Sequence, residues 1–347
     1  MQLLADADGH VTHLFERDCS VQRRHQKVLE ESPSPGIGRE LRSRMLEAAT
    51  AFATAVGYVN AGTAEFMVDG DAFYFLELNG RIQVEHPVTE LVTNTDLVRW
   101  QIELAQGTKT VDELLPESRG HAVEVRLYAE DPRTFFPQTG RIDRLRLPDA
   151  VRVDAGVAEG DEVGIAYDPM IAKLIAHGTT RDDAFDALRA ALDDTEVEGV
   201  TTNLPFLRWL VAHPLVRAGE TTTAFLVEHP PLSQPPLSTP GRPWRTPFRL
   251  NLPSPAPAPP PDVTAASSDH GSAGGEQSSV VAPMPGTVIR LLVGEGDSVR
   301  ARQPLVVLEA MKMETPLTSP YDATVRAVHV AEGDRVAGGA VLVELEE

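Results

Sequence analysis

The sequence predicts an α/β (α+β) region over residues 1–228 and a small all-β domain over residues 280–347. Strand-like and helical segments alternate in the first region. A segment of the second region occurs twice at an offset of 37 residues, and the stretch between the regions holds 13 of the chain's 28 prolines. We therefore expect residues 229–279 to form a linker that is semi-rigid where it is proline-rich.

Two helices and a strand are predicted in the first region. Asp96 as an N-cap, apolar residues at helical spacing and Gly107 as a terminator predict a helix over residues 96–106. A second helix is predicted over residues 182–192, after a strand over residues 170–175. These elements make the region mixed rather than all-helical.

A run of alternating polar and apolar residues spans positions 73–86. If this run is extended, successive side chains point to opposite faces, and the polar face holds Glu77, Asn79, Arg81, Gln83 and Glu85. An exposed amphipathic strand would show the same alternation. The carboxylate of Glu77, however, stands in the apolar sequence Phe-Leu-Glu-Leu, where a charge is unfavourable unless it is paired or binds a cation. This carboxylate favours a binding site.

The expected partner of Glu77 is Glu65, on the preceding strand-like segment. A two-residue turn that pairs Val68 with Asp71 would send the two carboxylates to opposite faces. A loop one residue longer, which pairs Val68 with Ala72, would put them on the same face. We expect the longer loop or a bulge, because paired carboxylates with an amide oxygen are hard ligands that suit Mg²⁺.

The repeat predicts the all-β domain. Residues 283–309 and 320–346 share short β-branched strands and a Glu-Gly-Asp turn, and neither copy is long enough to bury a core alone. The two copies must therefore pack face to face. The run Glu-Ala-Met-Lys-Met-Glu over residues 309–314 falls between them, which places Lys312 on an exposed hairpin. An ordinary solvated lysine is the alternative interpretation.

Composition limits the function. The net charge of −20 disfavours binding to nucleic acid or to an anionic membrane surface. The single cysteine, Cys19, excludes an internal disulfide framework and suits a reducing cytosol. The opening residues lack a basic segment before an apolar run, and no apolar run approaches about 20 residues. We therefore expect a cytoplasmic protein that binds neither nucleic acid nor membranes.

Ala-Met-Lys-Met around Lys312 and the earlier segment Ala282-Pro-Met-Pro-Gly286 resemble the biotinyl carrier domain of biotin-dependent carboxylases. The related lipoyl domains usually carry Asp-Lys-Ala at this place, so Met311 and Met313 favour biotin over lipoate. The resemblance covers residues 280–347 and implies that biotin is attached to Lys312. This is also the only lysine after Lys173.

The segments 16–27, 73–86 and 121–126 resemble biotin carboxylases. Residues 1–107 are similar to the second half of their ATP-grasp domain, and residues 108–228 to their C-terminal domain. The resemblance implies nucleotide contacts for Gln22 and His25 and metal ligands in Glu65, Glu77 and Asn79. It implies a bicarbonate site of Arg81, Gln83 and Val84, in which Arg81 is also catalytic. It also implies that Glu85 is the general base and that Arg126 is the arginine that stabilises the biotin enolate. Arg23, Arg24 and Lys27 would lie near phosphate groups, unless they form a solvated basic turn. Gly80 departs from the family's usual threonine or proline.

The resemblance implies an ATP- and bicarbonate-dependent carboxylation of biotin, with biotin, ATP and Mg²⁺ (or Mn²⁺) as cofactors. Implied partners are a carboxyltransferase β subunit acting on an acyl-CoA, a biotin protein ligase, and further copies of the chain bound through the carboxylase part. The acyl-CoA is open among acetyl-, propionyl- and methylcrotonyl-CoA. The alternatives are a non-catalytic biotin carrier with a relic carboxylase half, and a lipoyl carrier of an oxo-acid dehydrogenase.

Biotin carboxylases carry roughly another half-domain and one whole domain before the region that resembles this chain. Those parts include the glycine-rich loop and the lysines that hold ATP. We therefore expect the chain to be truncated at its N-terminus, and to be unable by itself to carboxylate biotin, because positioning of the nucleotide supplies much of the rate in phosphoryl transfer.

Overall fold

The computed structural model describes residues 1–23, 26–231, 279–310 and 313–346. Most of the predicted linker, together with His25, Met311 and Lys312, lies outside the described residues. In chain order the first region contains β1 (Gln2–Ala5), β2 (Val11–His13), β3 (Asp18–Arg23), β4 (Gln26–Ser32), α1 (Arg39–Ala55), β5 (Asn60–Asp69), β6 (Ala72–Asn79), α2 (His86–Thr93), α3 (Leu97–Ala105), β7 (His121–Tyr128), β8 (Gly140–Arg141), β9 (Arg144–Arg146), β10 (Arg152–Ala155), β11 (Glu162–Val163), β12 (Met170–Gly178), α4 (Arg181–Asp194), β13 (Glu196–Glu198), α5 (Leu204–Ala212), α6 (Pro214–Ala218) and α7 (Phe225–Glu228).

The first sheet is antiparallel and has the strand order β2-β1-β5-β6. Helix α1 covers it with an apolar stripe at a spacing of four residues, Leu41, Met45 and Ala49, which shares a core with Leu3 of β1. Strand β6 lies at an edge of this sheet. Its residues 74–77 are exposed.

The second sheet is antiparallel and has the order β10-β12-β7-β4-β3. Phe185 of α4 and Leu207 of α5 belong to the core on one of its faces, and Val88 of α2 packs with Ile175 of β12 on the other. Strand β7 is buried along its whole length. Its charged side chains are therefore buried as well.

The predicted helices and strand are confirmed. The Asp96 side chain accepts a hydrogen bond of 2.9 Å from the backbone N–H of Arg99 and begins α3. Helix α4 begins at Arg181, slightly before the predicted start, because Thr180 caps it by accepting a bond from the N–H of Asp183. The predicted strand over residues 170–175 is the first part of β12.

The β5–β6 hairpin has a bulge, as expected, but not the longer loop. Asp69 pairs with Ala72 across the two-residue loop Gly70–Asp71, in which Gly70 takes a φ of 58°, a value that favours glycine. The register then shifts after Phe66, so that Glu65 pairs with Glu77. One extra residue on β6 thus places both carboxylates on the same face.

The prediction of an extended run from position 73 to position 86 is wrong in its second half. Strand β6 ends at Asn79, residues 80–85 turn, and α2 begins at His86. Pro87 lies in the first turn of that helix, where its lack of an N–H causes no loss of a helical hydrogen bond. Strand alternation therefore does not place Arg81, Gln83 and Glu85.

The second region is the predicted all-β domain, with two sheets of the order β14-β21-β19-β16 and β18-β17-β15-β20. Its strands are β14 (Ser279–Val281), β15 (Gly286–Leu291), β16 (Ser298–Val299), β17 (Pro304–Ala310), β18 (Met313–Thr318), β19 (Ala323–Val328), β20 (Arg335–Val336) and β21 (Val341–Glu346). The repeat offset maps β15 onto β19, β16 onto β20 and β17 onto β21. Gly296 and Gly333 occupy equivalent turns with φ of 88° and 93°, and one apolar core joins both copies.

Among the described residues, no helix is both long and apolar enough to cross a membrane.

Candidate active site

Several predicted site residues meet at one cavity of about 560 Å³ in the first region. Strands β3, β4 and β5 and the turn before α2 line it. Four of the predicted residues are in its wall, namely Gln22, Glu65, Gln83 and Glu85, and Lys27 lies beside them.

Glu85 is the most constrained of these side chains. It stands at the N-terminal end of α2 and is only 2% exposed. Its Oε1 accepts a bond of 2.6 Å from Nζ of Lys27, and its Oε2 accepts one of 3.0 Å from Nη2 of Arg126. Burial would raise the pKa of Glu85, but the positive charges of Arg17, Lys27 and Arg126 outweigh it and lower the pKa to about 2. The carboxylate is therefore ionised at neutral pH.

Lys27 joins two carboxylates across the cavity. Its Nζ donates to Oε1 of Glu65 at 2.8 Å as well as to Glu85. Gln83 donates from Nε2 to the same oxygen of Glu65 at 2.6 Å. Burial raises the pKa of the Glu65 carboxyl, but the bonds from Lys27 and Gln83 lower it by more.

Arg17 holds the other end of the Gln83 amide, and the sequence analysis did not predict a role for it. Its Nη2 donates to Oε1 of Gln83 at 2.8 Å, and its Nη1 donates to the side chains of Gln2 and Thr89 at 2.8 and 2.9 Å. With both ends of its amide engaged, Gln83 has a fixed orientation.

Glu65, Glu77 and Asn79 lie together, as the metal-site prediction requires. Asn79 donates from Nδ2 to Oε1 of Glu65 at 3.2 Å and to Oε1 of Glu77 at 3.0 Å, so the amide would have to turn its oxygen towards a bound ion. Two carboxylates and an amide supply the oxygen donors that Mg²⁺ or Mn²⁺ prefers, so the donor chemistry fits. In the described part of the chain, no three His, Cys, Asp or Glu side chains cluster closely enough to hold an ion by themselves. Burial does not make the charge of Glu77 unfavourable, because β6 is an edge strand and this side chain is exposed.

The predicted bicarbonate residues are only partly brought together. Arg81 is exposed, and its Nη1 donates to the carbonyl of Ile82 at 3.2 Å rather than joining the network around Glu85. The carbonyl of Val84 accepts a 2.8 Å bond from Nζ of Lys173, which also pairs with Asp154 at 3.1 Å. Lys173, on β12, thus ties the turn before α2 to the second sheet.

Arg126 lies in the buried strand β7 and reaches Glu85 from the second sheet. Its Nε donates to Oε1 of Glu30 at 2.7 Å, and its Nη2 forms a second contact with the same oxygen. Its guanidinium therefore lies between two buried carboxylates, Glu30 and Glu85.

Sequence reasoning missed Arg17, Glu30 and Lys173. A signal was present for Glu30, because a carboxylate within a strand-like apolar run must find a partner when the strand is buried. The same argument was applied to Glu77, where the strand is exposed. The sequence does not show which strands lie at the edge of a sheet.

In the all-β domain, Met311 and Lys312 lie outside the described residues, and only the neighbouring parts of the chain can be described. Ala310 pairs with Met313 at the end of the β17–β18 hairpin, and the preceding pair, Glu309 and Glu314, is exposed. The hairpin thus ends at the two residues outside the described part. Attachment of biotin to Lys312 stays a prediction.

Three family models match the chain. The model described as "Carbamoyl-phosphate synthase L chain, ATP binding domain" matches residues 1–113. "Biotin carboxylase C-terminal domain" matches residues 124–228, and "Biotin-requiring enzyme" matches residues 278–345. The cavity residues fall in the first two matches, and Lys312 falls in the third.

Curated relatives match two thirds or all of this chain. Biotin carboxylase 2 of Bacillus subtilis is 53% identical over 233 residues, which cover 66% of this chain and 52% of that protein. The mitochondrial methylcrotonoyl-CoA carboxylase subunit alpha of Mus musculus is 34% identical over 460 residues, which cover 100% of this chain and 64% of that protein. The propionyl-CoA carboxylase alpha chain of Ruegeria pomeroyi is 48% identical over 256 residues, with 67% and 38% covered. The chain thus spans about half the length of the Bacillus protein.

A solved structure shows the same fold in the first region. The biotin carboxylase domain of the Hydrogenobacter thermophilus 2-oxoglutarate carboxylase, a dimer in complex with MgADP, ADP and bicarbonate, matches with a TM-score of 0.63. It is 41% identical and covers 66% of this chain and 52% of that chain.

Proposed function

The chain belongs to the biotin-dependent carboxylases, and from that premise we propose that it serves an ATP- and bicarbonate-dependent carboxylation of biotin. The observation that carries this proposal is the buried, ionised carboxylate of Glu85, held between Lys27 and Arg126 at the wall of the cavity. A buried base with two cations beside it suits an anionic substrate such as bicarbonate.

In this proposal Glu85 is the general base. Its carboxylate accepts the proton of bicarbonate, and the resulting carbonate attacks the γ-phosphate of ATP; the bond to the β-phosphate breaks, which gives carboxyphosphate and releases ADP. A carboxylate with a pKa of about 2 binds a proton weakly. Bicarbonate, as an anion, would therefore have to compete with Glu85 for one of the cations beside it. Burial lowers the pKa of Lys27, but its neighbouring carboxylates raise it by more, so Lys27 stays cationic. Its ammonium group is placed to move from Glu85 to bicarbonate.

Arg126 is assigned to the later step. The C–O bond of carboxyphosphate would break to give CO₂ and phosphate beside the ureido nitrogen of biotin, and the phosphate would accept the proton of that nitrogen. The Arg126 guanidinium would stabilise the enolate oxygen that then develops. Gln83 and Val84 would contact bicarbonate through the rigid turn before α2. Arg81 would have to leave its bond to Ile82 to join them.

Gln22 and His25 are assigned to nucleotide contact, and Glu65, Glu77 and Asn79 would hold Mg²⁺ or Mn²⁺. A metal ion bound there would neutralise charge on the nucleotide phosphates. Lys27 already reduces the negative charge near Glu65. Without Lys27, burial and repulsion from the neighbouring carboxylates would disfavour the ionised form of Glu65.

Residues 280–347 are proposed to carry biotin on Lys312, attached by a biotin protein ligase, and residues 229–279 to tether the carrier. A tether raises the effective concentration of the carrier at each site that it can reach. We propose the boundaries 1–107, 108–228, 229–279 and 280–347 for the two carboxylase parts, the linker and the carrier.

The further partners follow from the relatives. The mouse and Ruegeria proteins are α subunits or chains of acyl-CoA carboxylases, so we propose a carboxyltransferase β subunit that chooses among acetyl-, propionyl- and methylcrotonyl-CoA. The dimeric Hydrogenobacter domain supports self-association through the carboxylase part. The single cysteine supports a cytoplasmic location.

The proposal is tested with Glu85→Gln in the protein expressed from its natural gene. We expect bicarbonate-dependent ADP release to fall on the order of 10²-fold, since general bases contribute about 10² to 10⁴ in rate, while the affinity for MgATP stays unchanged. Glu40→Gln, an exposed change in the first turn of α1, is the matched control. Full bicarbonate-dependent activity in Glu85→Gln would remove the assignment, and lack of MgATP binding in the unsubstituted protein would favour the non-catalytic carrier.

A further inference from the structure

Two fully buried glutamates face each other in the centre of the second sheet. Strands β4 and β7 are antiparallel neighbours, and Glu30 pairs with Glu124 in their register. Facing residues of adjacent strands point to the same side of a sheet, here the side against which α2 packs. Both side chains have an exposure of 0%. The two residues thus have the same chemistry and the same burial.

Their contacts are different. Oε1 of Glu30 accepts from Nε of Arg126 at 2.7 Å and also contacts Nη2. Among the described residues, neither oxygen of Glu124 has a hydrogen-bond partner. Arg126 therefore contacts only one of two carboxyl groups that are alike in chemistry and burial.

The difference in contacts gives the two carboxyl groups different electrostatic environments. Burial, followed by repulsion from Glu30, raises the pKa of Glu124 well above its usual value, which favours the protonated carboxyl. Burial also raises the pKa of Glu30, but the charge of Arg126 opposes that increase directly. Of the two carboxyl groups, only Glu30 contacts the guanidinium, so Arg126 favours the ionised form of Glu30 more directly than that of Glu124.

We propose that Glu30 is a positioning residue that keeps the Arg126 guanidinium in place throughout the reaction; this rests on the roles proposed above for Glu85 and Arg126. When the O–H bond of bicarbonate breaks and its proton forms an O–H bond on Glu85, Glu85 loses its charge and its attraction for Arg126. Glu30 holds the guanidinium through Nε as well as Nη2 and takes no proton in this step. Arg126 then stays oriented, and its Nη2 is released from Glu85 to meet the enolate oxygen.

The facing pair supplies its own control, Glu30→Gln against Glu124→Gln. Each change replaces one fully buried carboxyl by an amide of the same shape. Glu30→Gln removes a charge, and we expect kcat for biotin carboxylation to fall on the order of 10- to 100-fold, as for a misplaced catalytic group. The KM for MgATP should change by less than about 2-fold, because Gln22 and the metal ligands are untouched. Glu124→Gln leaves the contacts of Arg126 with Glu30 and Glu85 intact, so both constants should stay within about 3-fold.

Crystal structures of the two variants give a second readout that does not depend on activity. We expect the Arg126 guanidinium to leave its position in Glu30→Gln and to keep it in Glu124→Gln. If Glu30→Gln fails to fold, Glu30→Asp keeps the charge one methylene farther away, and a partial loss of kcat is expected.

Equal losses in the two Gln variants, or an unmoved Arg126 with full kcat in Glu30→Gln, would overturn the inference. A failure of the proposed function looks different. In that case the unsubstituted protein shows no bicarbonate-dependent ADP release, whereas the position of Arg126 in the two crystal structures still shows whether Glu30 holds it.

Discussion

At the scale of single residues, buried carboxyl groups of the site have different pKa values because their surroundings differ. Glu85, Glu30 and Glu124 are all buried carboxyl groups. The pKa of Glu85 is lowered to about 2 by its three cations, while burial raises that of Glu124. Groups whose pKa values are pushed apart in this way can take separate roles in proton transfer and in positioning.

The free energy of unfolding should depend on pH through the carboxyl group of Glu124. Its folded-state pKa lies above the unfolded value, so the folded protein binds more protons than the unfolded protein once the pH exceeds the unfolded pKa of about 4.3. The stabilising contribution is complete below that pH and is lost as the pH rises towards the folded pKa. The loss is about 1.4 kcal/mol per pH unit.

The Glu124→Gln variant has no titratable group at this position, so it should not lose this contribution to the free energy of unfolding as the pH rises. We expect the difference in free energy of unfolding between Glu124→Gln and the unsubstituted protein to grow in favour of the variant from pH 5 to pH 7. Urea unfolding of the carboxylase part at three pH values measures it. Parallel pH dependences in the two proteins would show that Glu124 is ionised.

At the scale of elements, the sequence predicted periodic segments well and the boundaries around the site less well. Helices α3 and α4 were predictable because Asp96 and a regular apolar spacing are local signals. The bulge that pairs Glu65 with Glu77 was expected from the chemistry of two carboxylates. The two-residue loop was not, because its length depends on where along both strands the register shifts.

The turn that carries Glu85 was missed for a physical reason. The alternation of residues 73–86 continues beyond the end of β6 although these residues are not in a strand: Gln83 and Glu85 line the cavity, and Arg81 is an exposed residue of the connection to α2. Their positions depend on partners distant in sequence, such as Arg17 for Gln83 and Lys173 for Val84. A single sequence does not show those pairings.

At the scale of the whole molecule, the repeat and the proline-rich stretch predict a carrier that folds independently of the carboxylase part. One apolar core joins both copies of the repeat. We therefore expect residues 280–347, excised from the chain, to give dispersed NMR spectra and a cooperative thermal transition. Limited proteolysis of the full chain should cut within residues 229–279 first. An excised domain that is unfolded, or early cuts inside residues 280–347, would contradict this organisation.

The account requires that the two parts act on one substrate, the biotin on Lys312. The most direct measurement uses ¹⁴C-bicarbonate with MgATP and the biotinylated protein expressed from its natural gene, and follows label bound to protein. We expect label that depends on ATP, that is lost in Glu85→Gln although biotin is still attached, and that is lost in Lys312→Arg together with streptavidin binding. Label or biotin that persists in Lys312→Arg, or ATP-dependent label that survives in Glu85→Gln, would contradict the account.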